Sequence, residues 1–170
     1  MTAWKDDSIQ AVREAADVLA AASDVGVATD ALIGHLAARF GVLTPEQVLR
    51  IGRAALVGPR LALPNRQAMR AQVLSRTAVY FREFARAGWR FAGREVIVGH
   101  AVALDLLWER AGVLEADAIE TGRLRPADVE RLRRQVEGQL YAGKRAYGDS
   151  FAAVRAVVLT RPQTSFEVRA

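Results

Sequence analysis

The feature that most constrains the fold is a change of sequence periodicity near residue 90. From residue 89 to residue 122 the chain reads WRFAGREVIVGHAVALDLLWERAGVLEADAIETG, which is rich in Val, Ile and Leu and is interrupted by Gly93, Gly99 and Gly112. Short apolar runs separated by glycines are typical of strands joined by tight turns. We therefore predict three strands, which form a meander, over residues 90–98, 101–109 and 112–120.

The segments after the meander return first to helical and then to strand spacing. In RPADVERLRRQVEGQLYAG, the residues Val129, Leu132, Val136 and Leu140 recur on one side of a helix. The apolar FAAVRAVVLTRP and the terminal TSFEVRA predict two further strands. A meander followed by a helical crossover to another strand predicts a mixed sheet with helices on its faces.

The chain before the meander is predicted to be helical. The stretch LTPEQVLRIGRAALVGP opens with Thr44 as N-cap, Pro45 at the first helical position and Gln47 in place to complete a capping box. A longer helix is predicted from about residue 64 to about residue 86, with Met69 and Val73 on its apolar side. The last predicted helix before the meander therefore leads directly into the first strand.

These elements predict an α/β protein with two parts. Residues 1–63 form a helical N-terminal region, and residues 64–170 form a core that contains the sheet. The 170-residue chain has no cysteine, so it forms no disulfide and offers no thiolate to a metal. The sequence contains no apolar run long enough to predict a membrane span. Its first residues, MTAWKDDSIQ, are unlike a signal peptide. We therefore expect a cytoplasmic protein without membrane contact.

The net charge of +5 is distributed unevenly along the chain. Residues 1–43 carry 3 basic and 6 acidic side chains, residues 44–94 carry 10 arginines and 2 glutamates, and residues 95–170 carry 11 of each sign. The arginines of the middle segment are Arg50, Arg53, Arg60, Arg66, Arg70, Arg76, Arg82, Arg86, Arg90 and Arg94. Two interpretations stay open, a phosphate-facing surface or a set of solvated helix faces.

With these landmarks, residues 66–170 resemble the PD-(D/E)xK nuclease superfamily, and in particular its RecB-like branch. In that family a helix leads into a strand hairpin, the second strand carries an aspartate, and the third strand ends in (D/E)-x-K, often followed by Thr-Gly. Here Asp105 lies on the second predicted strand, and the third ends at Thr121-Gly122. The following helix carries Gln135, Gln139 and Tyr141, although their spacing departs from that of the family's glutamine-tyrosine motif. The resemblance implies a restriction-endonuclease-like fold with a mixed sheet flanked by helices.

The resemblance also implies a metal-dependent chemistry, from which this chain departs. In the family, two carboxylates hold Mg²⁺ or Mn²⁺, the metal activates water, and the lysine helps to orient or deprotonate that water. Here Ala118 stands in the place of the second acid and Glu120 in the place of the lysine. The implied catalytic residues are Asp105, Glu120 and Asp117, and the implied metal ligands are Asp105 and Glu120.

Three interpretations of this stretch are open. In the first, Asp105 and Glu120 are remnants of a site that is inactive and holds no cofactor. In the second, the site is rearranged into an active Mg²⁺ or Mn²⁺ nuclease, and a bulge brings Asp117 or Glu115 round to the metal. In the third, the chain is unrelated to the family and the carboxylates only solvate a hairpin. Strand alternation places Asp117 and Glu115 on the opposite face from Glu120.

The partner implied by the resemblance is nucleic acid, DNA rather than RNA, in DNA processing or defence. The arginines that we expect to contact phosphates are Arg123, Arg125 and Arg134 beside the site, and Arg70 and Arg76 on the upstream helix. A different class of function is a structural protein whose N-terminal helices form a homo-oligomer or join a larger complex.

Other residues have competing structural explanations. We expect His35 to be structural, because it lies within a helix, whereas His100 lies at a hairpin turn from which it could approach a metal. Trp89, Phe91 and Trp108 are expected in the core, with stacking on unpaired bases as the alternative.

Overall fold

The computed structural model describes residues 2–58 and 61–170, and for residues 2–7 it describes the backbone alone. The chain divides into two compact units, an N-terminal unit of residues 1–85 and a C-terminal unit of residues 86–170. The division lies later than the predicted boundary at residues 63 and 64, because the helix before the sheet makes its contacts with the other helices. Each unit is described by itself below.

The N-terminal unit is helical. Its helices are α1 (Thr2–Ala20), α2 (Val25–Ala37), α3 (Pro45–Leu56) and α4 (Arg66–Val79), followed by a π-helical turn at Tyr80–Phe84. The predicted capping box at the start of α3 is confirmed, since Thr44 accepts from the Gln47 backbone and the Gln47 side chain accepts from Thr44. At Gly52, α3 approaches Leu32 and Leu36 of α2 so closely that a β-carbon would meet the Leu36 side chain at 3.3 Å.

The C-terminal unit is a five-stranded mixed sheet with one long helix, as described over residues 86–170. Its elements are β1 (Arg90–Val98), β2 (Val102–Arg110), β3 (Val113–Glu120), α5 (Pro126–Tyr147), β4 (Phe151–Val158) and β5 (Phe166–Arg169). The strands lie in sequence order. β3 and β4 run parallel, whereas the other neighbouring pairs are antiparallel. The predicted α/β class and mixed sheet are confirmed.

The parallel pair β3–β4 determines where the loops after these two strands lie. A parallel connection needs a crossover, and α5 supplies it. Leu132 and Val136 of α5 are buried in one core with Ala116, Val154 and Ala156 of the sheet. Because β3 and β4 are parallel and in register, with Glu120 opposite Val158, the loops that follow both strands leave the sheet at the same end.

Two tight connections shape the meander. Ala111 and Gly112 both have positive φ, 51° and 81°, as the two-residue turn of a hairpin requires. Within β1, Glu95 also has a positive φ of 48°, which is uncommon for a residue other than glycine. None of the helices in the described residues combines the length and the apolar composition that a membrane crossing needs.

Candidate nucleic-acid interface

Glu120 is the last residue of β3, and its side chain folds back onto the turn that follows. Its Oε1 accepts a hydrogen bond from the backbone N–H of Gly122 at 3.0 Å, and its carbonyl oxygen accepts one from the N–H of Leu159 at 3.1 Å. The hydroxyl of Thr160 donates to the carbonyl oxygen of Gly122 at 3.0 Å. A carboxylate can accept from a turn N–H, whereas the ammonium of a lysine cannot. The side chain of Glu120 therefore stabilises the turn after β3. The hydrogen bonds from Leu159 and Thr160 connect this turn to the residues that follow β4.

Asp105 also binds the protein backbone. Its Oδ2 accepts a hydrogen bond from the N–H of Ile119 at 2.7 Å. The backbone pairing of β2 with β3 runs only from Leu106–Asp117 to Arg110–Val113, so the Asp105 side chain extends the connection between the two strands. Ala118 is buried in the core that α5 forms with the sheet.

The other two carboxylates of β3 lie in a buried ion cluster. Asp117 is fully buried, and Arg155 binds it with two hydrogen bonds, at 3.0 Å from Nε and 2.8 Å from Nη2. Arg86 donates to Asp117 at 2.9 Å and also to Glu115, whose second oxygen lies 3.6 Å from Nη1 of Arg169. Glu115 and Asp117 therefore share one face of β3, on which three guanidinium groups surround two carboxylates.

In this cluster, guanidinium groups balance the negative charges of the two carboxylates. Removing a carboxylate from water is costly unless cations and hydrogen bonds replace its hydration, and arginine supplies both in one planar group. Burial by itself would lower the pKa of Arg86. The charges of Asp117 and Glu115 and their hydrogen bonds outweigh that effect, so the pKa of Arg86 is raised above its usual value. Arg86 therefore carries a permanent charge in the interior.

These carboxylates do not fit a divalent cation in the arrangement described. Asp117 and Glu115 are already neutralised by guanidinium groups, and Asp105 and Glu120 each accept from a backbone N–H. Mg²⁺ binds several oxygens at about 2.1 Å in a nearly octahedral shell, so its carboxylate ligands must converge on one point. Among the described residues, no three His, Cys, Asp or Glu side chains come together as a possible metal site.

Three arginines line an open groove where the loops after β3 and β4 meet. The groove has a volume of about 650 Å³ and is lined by Arg123, Leu124, Arg125, Pro126 and Arg161. Arg123, Arg125 and Arg161 are exposed, and no carboxylate is among the residues that line it. Asp128 lies 3.7 Å from Arg125, and its carboxylate accepts from the Arg125 backbone N–H, as a helix cap does. The groove is therefore a concentration of cations in which Arg125 has Asp128 as a neighbouring anion and no carboxylate belongs to the lining.

The exposed arginines of α5 continue this positive character. Arg134 is 74% exposed and lies 4.0 Å from Glu130, at the limit of an ion pair. Arg131 is 63% exposed and 3.8 Å from Asp128. Pairs at these distances on an exposed helix contribute little stability, so both arginines can exchange their partners at small cost.

Several arginines of residues 50–94 already bind groups within the protein. Fewer of them are therefore available to phosphates than the interpretation as a phosphate-facing surface expects. Arg70, a candidate phosphate ligand, donates to the carbonyl oxygen of Gly58 at 2.9 Å. Arg76, the other candidate on α4, is half-buried. Ion pairs within their own unit engage Arg82 with Glu46, Arg86 with the buried cluster, Arg90 with Glu109, and Arg94 with Glu95. Arg60 lies outside the described residues.

The remaining candidates have separate locations. His35 lies half-buried within α2, whereas His100 lies in the exposed turn between β1 and β2. Trp108 is fully buried with the edge of Phe91 against it, which confirms the core interpretation for that residue. Trp89 is half-buried and faces the guanidinium groups of Arg86 and Arg110, at 5.2 Å and 4.7 Å.

Sequence reasoning missed the role of Arg86 and the position of Arg161. Two acids at alternate positions of a buried strand require counter-charges, and that signal was available for Glu115 and Asp117. That signal does not identify the arginine that supplies the counter-charge. Arg161 joins Arg123 only because β3 and β4 are parallel neighbours.

Neither protein-family models nor curated proteins nor solved structures gave a match to this chain. The arginine groove, the buried ion cluster and the bound carboxylates are therefore the observations from which a function is inferred.

Proposed function

We propose that this chain binds the phosphate backbone of nucleic acid through the C-terminal unit, on a degenerate restriction-endonuclease-like core. The observation that carries the proposal is the groove formed by Arg123, Arg125 and Arg161. Arginine is suited to this ligand because its guanidinium group stays charged and donates paired hydrogen bonds to phosphate oxygens. A cluster of exposed guanidinium groups attracts a polyanion.

The order of elements supports the fold part of the proposal. A meander of three strands, a crossover helix and a fourth strand parallel to the third is the arrangement that the resemblance implies. The groove lies at the end of β3 where the family would place its Thr-Gly turn, beside Glu120. A nuclease-like protein that had lost its catalytic activity would keep the surface that binds the phosphates. DNA as the partner, a role in DNA processing or defence, and a cytoplasmic location stay predictions.

A nuclease activity with Mg²⁺ or Mn²⁺ also stays a prediction, and it would require a rearrangement of the carboxylates. Backbone N–H groups now fix the directions of Asp105 and Glu120, and arginines hold Asp117, so the three carboxylates would have to turn towards one point. Incubating labelled DNA with either metal, and comparing wild type with Asp105→Ala, tests it. Cleavage that is absent in the variant would establish the active alternative.

Neutralising the groove tests the proposed function. We expect Arg123→Gln combined with Arg161→Gln to weaken binding of a labelled DNA oligonucleotide about tenfold, since two phosphate contacts are lost. The slope of log affinity against log salt should fall in magnitude by about 1.4 to 1.8, because each contact contributes about 0.7 on single strands and 0.9 on duplexes. Fluorescence anisotropy over a salt series measures both quantities.

The matched control is Arg13→Gln, which removes an exposed arginine from α1 in an acidic stretch of the chain. It should leave affinity and slope unchanged. The control removes one charge and the double variant removes two. If the control lowers the logarithm of the affinity by about half as much as the double variant does, the attraction comes from net charge and not from the groove, and the proposal is wrong.

A second candidate, assembly through the N-terminal helices, has an observation of its own. A groove of about 340 Å³ in the N-terminal unit is lined in part by Ala11, Val42, Leu43 and Ile51, and Val42 is 90% exposed. Multi-angle light scattering of wild type and Val42→Lys tests this. A dimer that the variant dissociates would support assembly, and a monomeric wild type would oppose it.

A further inference from the structure

One exposed stripe of α5 carries cations and an aromatic ring on the same side of the helix. Arg131, Arg134, Gly138, Tyr141 and Arg145 are all exposed, and they follow one another at spacings of three and four residues. Residues at these spacings lie above one another on a helix surface. The stripe extends from the helix end nearest the arginine groove towards the other end of α5.

Towards that other end of α5 the stripe borders a second groove, which has a volume of about 400 Å³. His100 of the β1–β2 turn and Tyr141 and Arg145 of α5 are among its lining residues. Tyr141 is 65% exposed, and Arg145 lies against it, with its guanidinium carbon 5.9 Å from the ring centroid and Nη1 3.4 Å from the hydroxyl. Apart from its chain neighbours and the backbone of α5, no atom lies within 4 Å of where a β-carbon of Gly138 would be, so the surface one turn before Tyr141 is open.

This combination fits the chemistry of a nucleotide. An exposed aromatic face is a stacking surface for a planar base, and stacking accepts every base. Arg145 supplies a cation for the adjoining phosphate, and the imidazole of His100 supplies a hydrogen-bonding group. No carboxylate is among the residues that line the groove. Bases within a duplex present only their edges, so a base that stacks on Tyr141 must be unpaired.

We propose that the groove at Tyr141 holds an unpaired nucleotide, with its base on the Tyr141 ring and its phosphate at Arg145, so that the ligand is a single strand that follows α5 from the arginine groove. This inference rests on the proposed function and adds the strandedness of the partner and a second contact point. Arg131 and Arg134 lie between the two grooves on the same stripe.

The helix sets a length for the ligand. From residue 126 to residue 141, α5 rises by about 22 Å, at about 1.5 Å per residue. One strand advances by about 3.4 Å per nucleotide in a stacked conformation, so about seven nucleotides span the distance. Affinity should therefore rise steeply between oligonucleotides of about 4 and about 8 nucleotides, and level off beyond that.

The test compares single-stranded and double-stranded DNA of one sequence with wild type, Tyr141→Ala and Tyr141→Phe, by anisotropy at constant salt. We expect wild type to prefer the single strand. Tyr141→Ala should weaken single-strand binding by about 5- to 150-fold, the range that loss of one stacked base produces, and should leave duplex binding unchanged. Tyr141→Phe keeps the ring and should bind like wild type. Circular dichroism checks that each variant folds.

The outcomes separate the two proposals. If no DNA binds at low salt, the proposed function fails, and this inference fails with it. If DNA binds but Tyr141→Ala has no effect on either form, only the inference about the groove is overturned. Adenosine monophosphate serves as the probe for a free nucleotide, and if it binds as tightly as an oligonucleotide of about 8 nucleotides, the strand along α5 is overturned.

Discussion

At the scale of single residues, hydrogen bonds to the protein itself determine what the carboxylates near β3 can do. Asp105 accepts from Ile119, Glu120 accepts from Gly122, and Asp117 is held by two arginines. Each of these bonds fixes the direction of a carboxylate and occupies part of its capacity to accept hydrogen bonds. Glu120 therefore has a local structural role, since its carboxylate accepts from the Gly122 N–H in the turn after β3.

The buried cluster predicts a large loss of stability for one substitution. Asp117→Ala leaves Arg86 charged, buried and short of a partner, which costs about 3 to 5 kcal/mol in the free energy of unfolding. Glu130→Ala is the matched control, because Glu130 is exposed and its pair with Arg134 is long. We expect the control to change the free energy by less than about 0.5 kcal/mol. Urea unfolding followed by circular dichroism measures both, and equal stability of the two variants would contradict the account of the cluster.

At the scale of elements, the β2–β3 hairpin is supported by one side chain. Glu109 accepts from the backbone N–H of Gly112 at 2.9 Å and from Arg90 Nε at 2.9 Å. The Gly112 hydrogen bond, followed by the contact with Arg90, lowers the pKa of Glu109 below its ordinary value of 4.5. The folded state thus binds the Glu109 proton less readily than the unfolded state does, and the hairpin is more stable with Glu109 ionised.

A pH dependence follows from the lowered pKa. The stabilisation from Glu109 is fully present above the unfolded value of 4.5 and is lost as the pH falls through the lower folded value. Wild type should therefore be more stable than Glu109→Gln at about pH 7, and the difference should shrink towards about pH 3. Urea midpoints of both proteins across this range test the sign. A difference that grows on acidification would show that the sign is wrong.

The elements were largely predictable, because periodicity and turn chemistry are local signals. The strand predicted at residues 90–98 is found at Arg90–Val98, and the capping box at Thr44 starts α3 as expected. The helix predicted to end near residue 86 instead ends its regular part at Val79 and continues as a π-helical turn. Buried Tyr80 and Phe81 contact neighbouring aromatic rings. These are tertiary contacts, which the spacing of apolar residues in the sequence does not predict.

The candidate site was predictable only in part, because its groups come from distant positions. The pattern placed Asp105 and Glu120 on neighbouring strands and Arg123 and Arg125 at the start of α5. It did not place Arg86 beside Asp117, 31 positions away, or Arg161 beside Arg123. Such pairings depend on strand order and register, which follow from packing of the whole unit and not from any short window of sequence.

At the scale of the whole molecule, the location of the charge matters more than its sum. The C-terminal unit carries 14 basic and 11 acidic side chains, which is only a small excess. Arg86 and Arg155 are engaged in its interior, whereas Arg123, Arg125 and Arg161 lie together at one end of the sheet. A modest net charge therefore coexists with a strongly positive groove, as a phosphate-binding surface requires.

The most direct test of the central claim is binding of wild type to a labelled single-stranded oligonucleotide in EDTA, followed by anisotropy over a salt series. We expect binding without any divalent cation, with an affinity that falls steeply and linearly on logarithmic axes as salt rises. Magnesium added in place of EDTA should not strengthen that binding. An absence of binding at low salt, or binding that requires the metal, would contradict the account.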